Sequence, residues 1–215
     1  MAEKPKWPGQ IEEALFDLAQ VRALASVVRA EVYWTFSTDE PMSTADVAKA
    51  ISRGAATVRY HVNELLKADM LIAVETRKRK ARTEDAYVHK IINGYTPRPP
   101  YEPDYLEAIH KGFTAIQRYT SREREAVYAV SNIEHDFYQL QLYRRSTIRL
   151  APDQIAKLRR KLADVVYEFV PLSDPAGIQV NVSTYMSPTK GESERRYQEL
   201  TGHELGDKPI VEPED

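Results

Sequence analysis

Between Leu24 and Lys90 the hydrophobic pattern passes through three helical stretches and then a strand pair, an order that few folds accommodate. Val27, Val28, Val32, Tyr33 and Phe36 keep helical spacing. Ser43-Thr44-Ala45-Asp46 then has the S-x-x-D form of a capping box and opens a short helix to Ile51, with Val47, Ala48 and Ile51 on one face. After Ser52-Arg53-Gly54 a third helix runs from Ala55 to Ala68. Gly54 permits a sharp turn and can itself cap that helix. Val58, Val62, Leu65 and Leu66 form its core face, while Ala56, Thr57, Arg59, Tyr60, Asn63 and Lys67 lie opposite. Two strand candidates follow, Leu71 to Glu75 and Ala86 to Ile92. Between them lies Thr76 to Arg82, in which Arg77, Lys78, Arg79, Lys80 and Arg82 are basic.

Three helices, a tight turn and a basic hairpin in this order read as a winged helix-turn-helix. Such a unit places one helix in the DNA major groove and a ribbon on the flanking backbone. Double-stranded DNA is therefore the expected partner. Small residues at the start of the third helix allow close approach to the groove, and Arg59, Tyr60 and Asn63 supply donors and acceptors for base edges or phosphates. Arg53 and Lys67 complete the expected contact set on that side. The five basic hairpin residues are placed at phosphates or the minor groove. A solvated amphipathic face and a solubilising loop are the plainer readings of each part alone; their succession favours DNA. His61, at the edge of the packed face, is read as structural, and Trp34 as core.

Leu24 to Trp34, Ser43-Thr-Ala-Asp-Val-Ala, Thr57-Val-Arg-Tyr-His-Val-Asn-Glu-Leu and Ala68-Asp-Met-Leu-Ile together resemble the ArsR-like winged-helix transcriptional regulators. The resemblance covers about a third of the chain. It implies a dimeric regulator that reads DNA through the helix holding Arg59 and Tyr60. Where that family usually has Ala-Gly-Leu, this chain has Ala68-Asp69-Met70, so a different exit turn is expected. The cysteine motif of the family's metal sensors is absent, and metal-regulated repression is not implied.

Charge is unevenly spread along the chain, whose formal net charge is −2. Residues 43–82 carry nine basic and four acidic side chains, whereas 191–215 carry eight acidic and three basic. Screening confines each field to roughly 8–10 Å, so the local excess decides contact with a polyanion. The chain has no cysteine, hence no disulfide or thiolate metal site. It shows no apolar run of membrane-spanning length and no signal-peptide core, so a cytoplasmic protein without membrane attachment is expected. No zinc-spaced histidine pair, glycine-rich phosphate loop or nucleophile elbow occurs, and neither enzymatic activity nor a cofactor is expected.

Four prolines in Tyr95 to Pro103 mark that segment as a semi-rigid linker. Beyond it Leu106, Ile109, Phe113, Ile116 and Thr120 keep helical spacing, as do Val130, Ile133, Phe137 and Leu140. Ser121 is a candidate start for the second of these, although both can belong to one long kinked rod. Ile155, Leu158, Leu162, Val165 and Phe169 define a third helix, with Pro152 in its first turn. Ile178 to Tyr185 alternates as a strand does. The segment from Arg149 to Pro188 is similar to the C-terminal domain of some ArsR-like regulators, which implies dimerisation or effector binding. The aromatic side chains beyond residue 100 serve core packing or, less commonly, a small-molecule pocket. Asp104, Glu107 and His110 share one helix face and read as a polar stripe rather than a metal site.

The expected fold is mainly α with small β elements. Residues 9–94 form the winged helix-turn-helix, 95–103 the linker, 104–190 a helical dimerisation and possible effector domain with a terminal strand, and 191–215 a flexible acidic tail in which Ser193 to Leu200 can be a short helix. The expected function is sequence-specific transcriptional regulation as a homodimer. A winged helix that docks an acidic protein and a sequence-tolerant DNA-organising protein are the alternatives.

Overall fold

The computed structural model describes residues 7–79, 82–140, 142, 145–169, 172, 180 and 182–204. The chain divides into two compact units, residues 1–145 and 146–215. The first begins with a short strand, β1 (Ile11–Leu15), which pairs in parallel with β5 (Ile91–Tyr95). Three helices follow: α1 (Leu18–Leu24), α2 (Val27–Thr35) and α3 (Thr44–Ala50). Each has a polar N-cap. Asp17 and Gln20 form a capping box on α1, Ser26 accepts from the Arg29 amide on α2, and Ser43 with Asp46 forms the expected box on α3. These side chains satisfy first-turn N–H groups that have no partner within a helix.

Helix α4 (Ala55–Lys67) leads into the hairpin of β3 (Leu71–Arg79) and β4 (Arg82–His89). A two-residue strand, β2 (Met42–Ser43), lies on the other side of β4, so the antiparallel sheet has the order β2-β4-β3. The core packs α2, α3 and α4 against the base of this sheet. Val32, Val47, Val58, Val62, Leu65, Met70 and Leu71 are all essentially closed to solvent. The hairpin is longer than its sequence pattern suggests. Arg77 and Lys78 lie within β3 rather than in a loop, Arg79 pairs with Arg82 in the ladder, and Lys80 falls outside the described residues. Polar residues continue both strands because main-chain pairing does not require an apolar face once the hairpin has left the core.

Strand β1 and its pairing with β5 have no counterpart in the sequence reading. β1 has two glutamates in five residues and shows little burial, so periodicity gives it no signal. Its anchors are local. Gln10 donates from Nε2 to the Thr38 and His89 carbonyls, and Phe16 closes directly over Gly94. A Cβ at position 94 would run into the Phe16 ring, so any larger residue there would have to displace that ring.

Helix α5 (Pro103–Ser131) corrects two expectations. It is one continuous 29-residue helix, so Ser121 starts nothing, and a 3₁₀ turn (His135–Leu140) follows it. It also packs onto α1 and α2 and belongs to the first unit, so the proline segment 95–103 does not separate two domains. The buried stripe is Tyr105, Ala108, Gly112, Ala115 and Tyr119, one residue out of phase with Leu106, Ile109, Phe113 and Ile116. Small residues let α5 approach the α1 backbone closely, where the Leu24 carbonyl lies 3.9 Å from the Cβ position of Gly112. At the helix start Tyr105 donates its hydroxyl to the Phe16 carbonyl (2.6 Å), and Arg22 pairs with Asp104. Glu107 pairs with Lys111. Among the described residues no group of three acidic or histidine side chains is placed to hold a metal.

The second unit contains α6 (Pro152–Phe169) and α7 (Lys190–Thr201). Helix α6 starts at Pro152 as its sequence indicates. The short helix expected over Ser193 to Leu200 is present and extends from Lys190 to Thr201: Thr189 caps it, left-handed Gly202 ends it, and Glu192, Arg195 and Glu199 pair along it. Val180 and Val182–Tyr185 take no part in a strand, while Ile178, Gln179 and Asn181 lie outside the described residues, as do 205–215. Among the described residues no helix is long and apolar enough to cross a membrane.

Candidate nucleic-acid interface

Helix α4 owes its orientation to its apolar side. Val58, Val62 and Leu65 are buried against α2 and α3, which leaves Ala56, Thr57, Arg59, Tyr60, Asn63 and Lys67 exposed on the opposite side. All six sequence-selected residues of this helix therefore share one open face. Tyr60 is 56% exposed, and its ring meets His61 edge-on at 5.1 Å. Lys67 donates to Glu64 at 2.7 Å and keeps most of its side chain in solvent. The face begins with Gly54 at the N-cap in extended backbone, and no side chain caps the first-turn amides.

The turn ahead of α4 is made by Ser52 rather than Gly54. Ser52 has φ 52°, and the Arg53 amide reaches back to the Ala48 carbonyl while the Ser52 amide reaches that of Lys49. This is a Schellman closure. The far end of α4 repeats it: Asp69 has φ 58°, Met70 N–H donates to Leu65 O and Asp69 N–H to Leu66 O. The exit turn expected to differ from the family's Ala-Gly-Leu thus adopts the left-handed backbone a glycine would adopt. Lys90 holds the Asp69 carboxylate at 2.5 Å.

Arg53 departs from the expected contact set. Its guanidinium donates through Nε and Nη2 to one carboxylate oxygen of Glu31 on α2, at 2.7 and 2.6 Å, with 29% of the side chain exposed. It ties the turn to α2, and reaching a phosphate would require breaking that pair. Glu31 was not singled out in the sequence, because a lone glutamate on an apolar helix gives no signal of its partner. Behind α4, Arg29 lies 4.0 Å from Glu64, and His61 is half-buried. The His61 Nδ1 has no hydrogen-bond partner among the described residues. Partial burial and the nearby Arg29 and Arg53 cations push its pKa below the usual histidine value.

His89, at the end of β4, is a second buried histidine. Its ring stacks on Tyr33 at 4.2 Å, and Nε2–H donates to the Tyr33 carbonyl at 2.8 Å. Burial drives its pKa down to about 4, so the ring is neutral at pH 7. Trp34, expected in the core, is 40% exposed and touches this pair edge-on. α2 already turns Ala30, Val32 and Tyr33 inward, and the next position points out.

On the hairpin, basic and acidic residues interleave. Arg77 donates to Glu75 at 2.7 Å and lies across from Glu84, Lys78 is exposed across from Thr83, and Thr76 donates to Asp85. The outer ladder thus carries Arg77, Lys78, Arg79 and Arg82 in its strands.

A helix with one buried and one open face, preceded by a tight turn off a shorter helix and followed by a strand hairpin, is the arrangement of a helix-turn-helix domain, the class of fold that supports DNA binding. The family model described as a helix-turn-helix domain matches residues 24–74, from the end of α1 into β3. No curated protein matches the chain.

Proposed function

We propose that the protein is a sequence-specific DNA-binding transcriptional regulator of ArsR-like type, acting in the cytoplasm as a homodimer. The observation that carries the reading is the open face of α4, where Thr57, Arg59, Tyr60 and Asn63 stand together with small Ala56 at the leading end. Arg and Asn are the side chains that pair bidentately with guanine and adenine edges in the major groove. Arg77, Lys78, Arg79, Lys80 and Arg82 serve phosphates, which fix position without reading sequence. Two-fold pairing of protomers would give a roughly palindromic operator with half-sites one or more helical turns apart.

Selection of bound duplexes from a randomised pool by the full chain tests this. A two-fold-symmetric motif is the expected result. Retention of DNA without any motif would instead favour a DNA-organising role, and no retention at low salt would favour a winged helix that docks an acidic protein.

A further inference from the structure

Helix α4 is fastened to α2 by two ion pairs that lie mostly out of solvent. Ahead of α4, Arg53 donates through Nε and Nη2 to Glu31, whose side chain is 12% exposed. Near the far end of α4, Glu64 lies 4.0 Å from the half-buried Arg29. α2 therefore supplies the anion at one end of α4 and the cation at the other. Exchanging partners would bring Arg29 to Arg53 and Glu31 to Glu64, like charges in both cases, so the pairs disfavour a shifted seating of α4 on α2. We infer that Arg53 is a positioning residue: it stays on Glu31 when DNA is bound and sets where the α4 face meets the groove, without itself touching DNA. The inference rests on the reading of α4 as the DNA-contacting helix.

The alternative is that Arg53 leaves Glu31 for a backbone phosphate, and burial decides between the two. Among the described residues no other cation pairs with Glu31. Leaving a carboxylate so far withdrawn from water without its partner costs more than one solvent-exposed phosphate contact returns. The His61 ring, within the field of both Arg29 and Arg53, is neutral at pH 7 and adds no third cation to compete for the two carboxylates. Position matters at this end of the helix. Arg53 directly precedes the Gly54 N-cap, where no side chain caps the first-turn amides, so its tie to Glu31 is what a side chain contributes there. A shift at this point is passed along one rigid helix to Thr57, Arg59 and Asn63, which stand on its open face.

Affinity of the full chain for its selected operator and for a scrambled duplex, measured at several salt concentrations, tests the pair. Arg53→Gln and the isosteric Glu31→Gln should each lower operator affinity about tenfold, the equivalent of one misplaced base contact, while affinity for the scrambled duplex and both salt slopes stay unchanged. The double substitution should be no worse than either alone, because each breaks the same pair. Arg53→Lys, which keeps a cation beside Glu31, should recover part of the operator preference. Should Arg53→Gln fail to fold by circular dichroism, Glu31→Gln carries the test. A salt slope flattened by about 0.9 per protomer in Arg53→Gln, or a gain of affinity for both duplexes in Glu31→Gln, would overturn the inference and make Arg53 a phosphate contact. Folded Arg53→Gln and Glu31→Gln with the full operator preference would overturn it too, leaving the pair a role in stability alone. An unsubstituted chain that does not distinguish the two duplexes would overturn the DNA reading beneath it.

Discussion

Among the described residues, two other than glycine hold left-handed backbone, Ser52 (φ 52°) and Asp69 (φ 58°), and they close the two helices of the helix-turn-helix. A side chain in that region costs roughly 1–2 kcal/mol relative to glycine. Ser52→Gly should therefore raise unfolding free energy by about 1 kcal/mol, and Asp69→Gly by less, because it also gives up the Lys90 pair. Urea unfolding checks both, and a loss of stability in both would mean that the left-handed turns are not as described. The sequence pointed to Gly54 as the turning residue, because glycine advertises conformational freedom and serine does not. His89 gives a pH prediction. Its folded pKa of about 4 lies below the unfolded histidine value near 6.5, so burial of the neutral ring favours folding fully above pH 6.5. As pH falls from 6.5 toward 4 the unfolded chain binds a proton that the folded one refuses, and stability declines by up to about 1.4 kcal/mol per pH unit. His61 is shifted in the same direction and adds to the decline. His89→Phe should flatten the pH dependence of unfolding between pH 7 and 5; an unchanged slope would assign it to other groups.

At the scale of elements, α3, α4 and the start of the hairpin were legible because each had a core face, a cap or a turn signal of its own. Ser43 and Asp46 form the capping box their spacing implies, and Val58, Val62 and Leu65 are buried as their spacing implies. Helix α5 was legible as a helix but not in its phase. Leu106, Ile109, Phe113 and Ile116 are more apolar than Ala108, Gly112 and Ala115, yet the small residues allow closer contact with α1 and α2 and win the buried side. Strand β1 was illegible because its order comes from pairing with β5 and from Gln10, not from its own periodicity. The hairpin carries a prediction of its own. Neutralising Arg77, Lys78, Arg79, Lys80 and Arg82 together should weaken specific and random DNA by similar factors. It should also flatten the dependence of log affinity on log salt by about 0.9 per lost phosphate contact. Because Arg77 already holds Glu75, fewer than five contacts per protomer should disappear. Loss of one base-pair preference at constant slope would place these side chains in the minor groove as readers.

For the whole molecule, the order of helices, turn and hairpin made a helix-turn-helix unit legible, but its limit was misplaced. Prolines 97, 99, 100 and 103 read as a linker, yet the helix they introduce packs back on the first unit, anchored by Tyr105 and Asp104. Only contacts distant in sequence could reveal that. The central claim is that α4 reads base edges. It is tested most directly by titrating the full chain, with Arg59→Ala and Asn63→Ala beside it, against its selected operator and a scrambled duplex at several salt concentrations. The unsubstituted protein should prefer the operator by about a thousandfold or more. Each substitution should remove roughly 1–3 kcal/mol of that preference and leave the unfolding transition in place. An undiminished preference in both variants would contradict the account and move the reading surface away from α4.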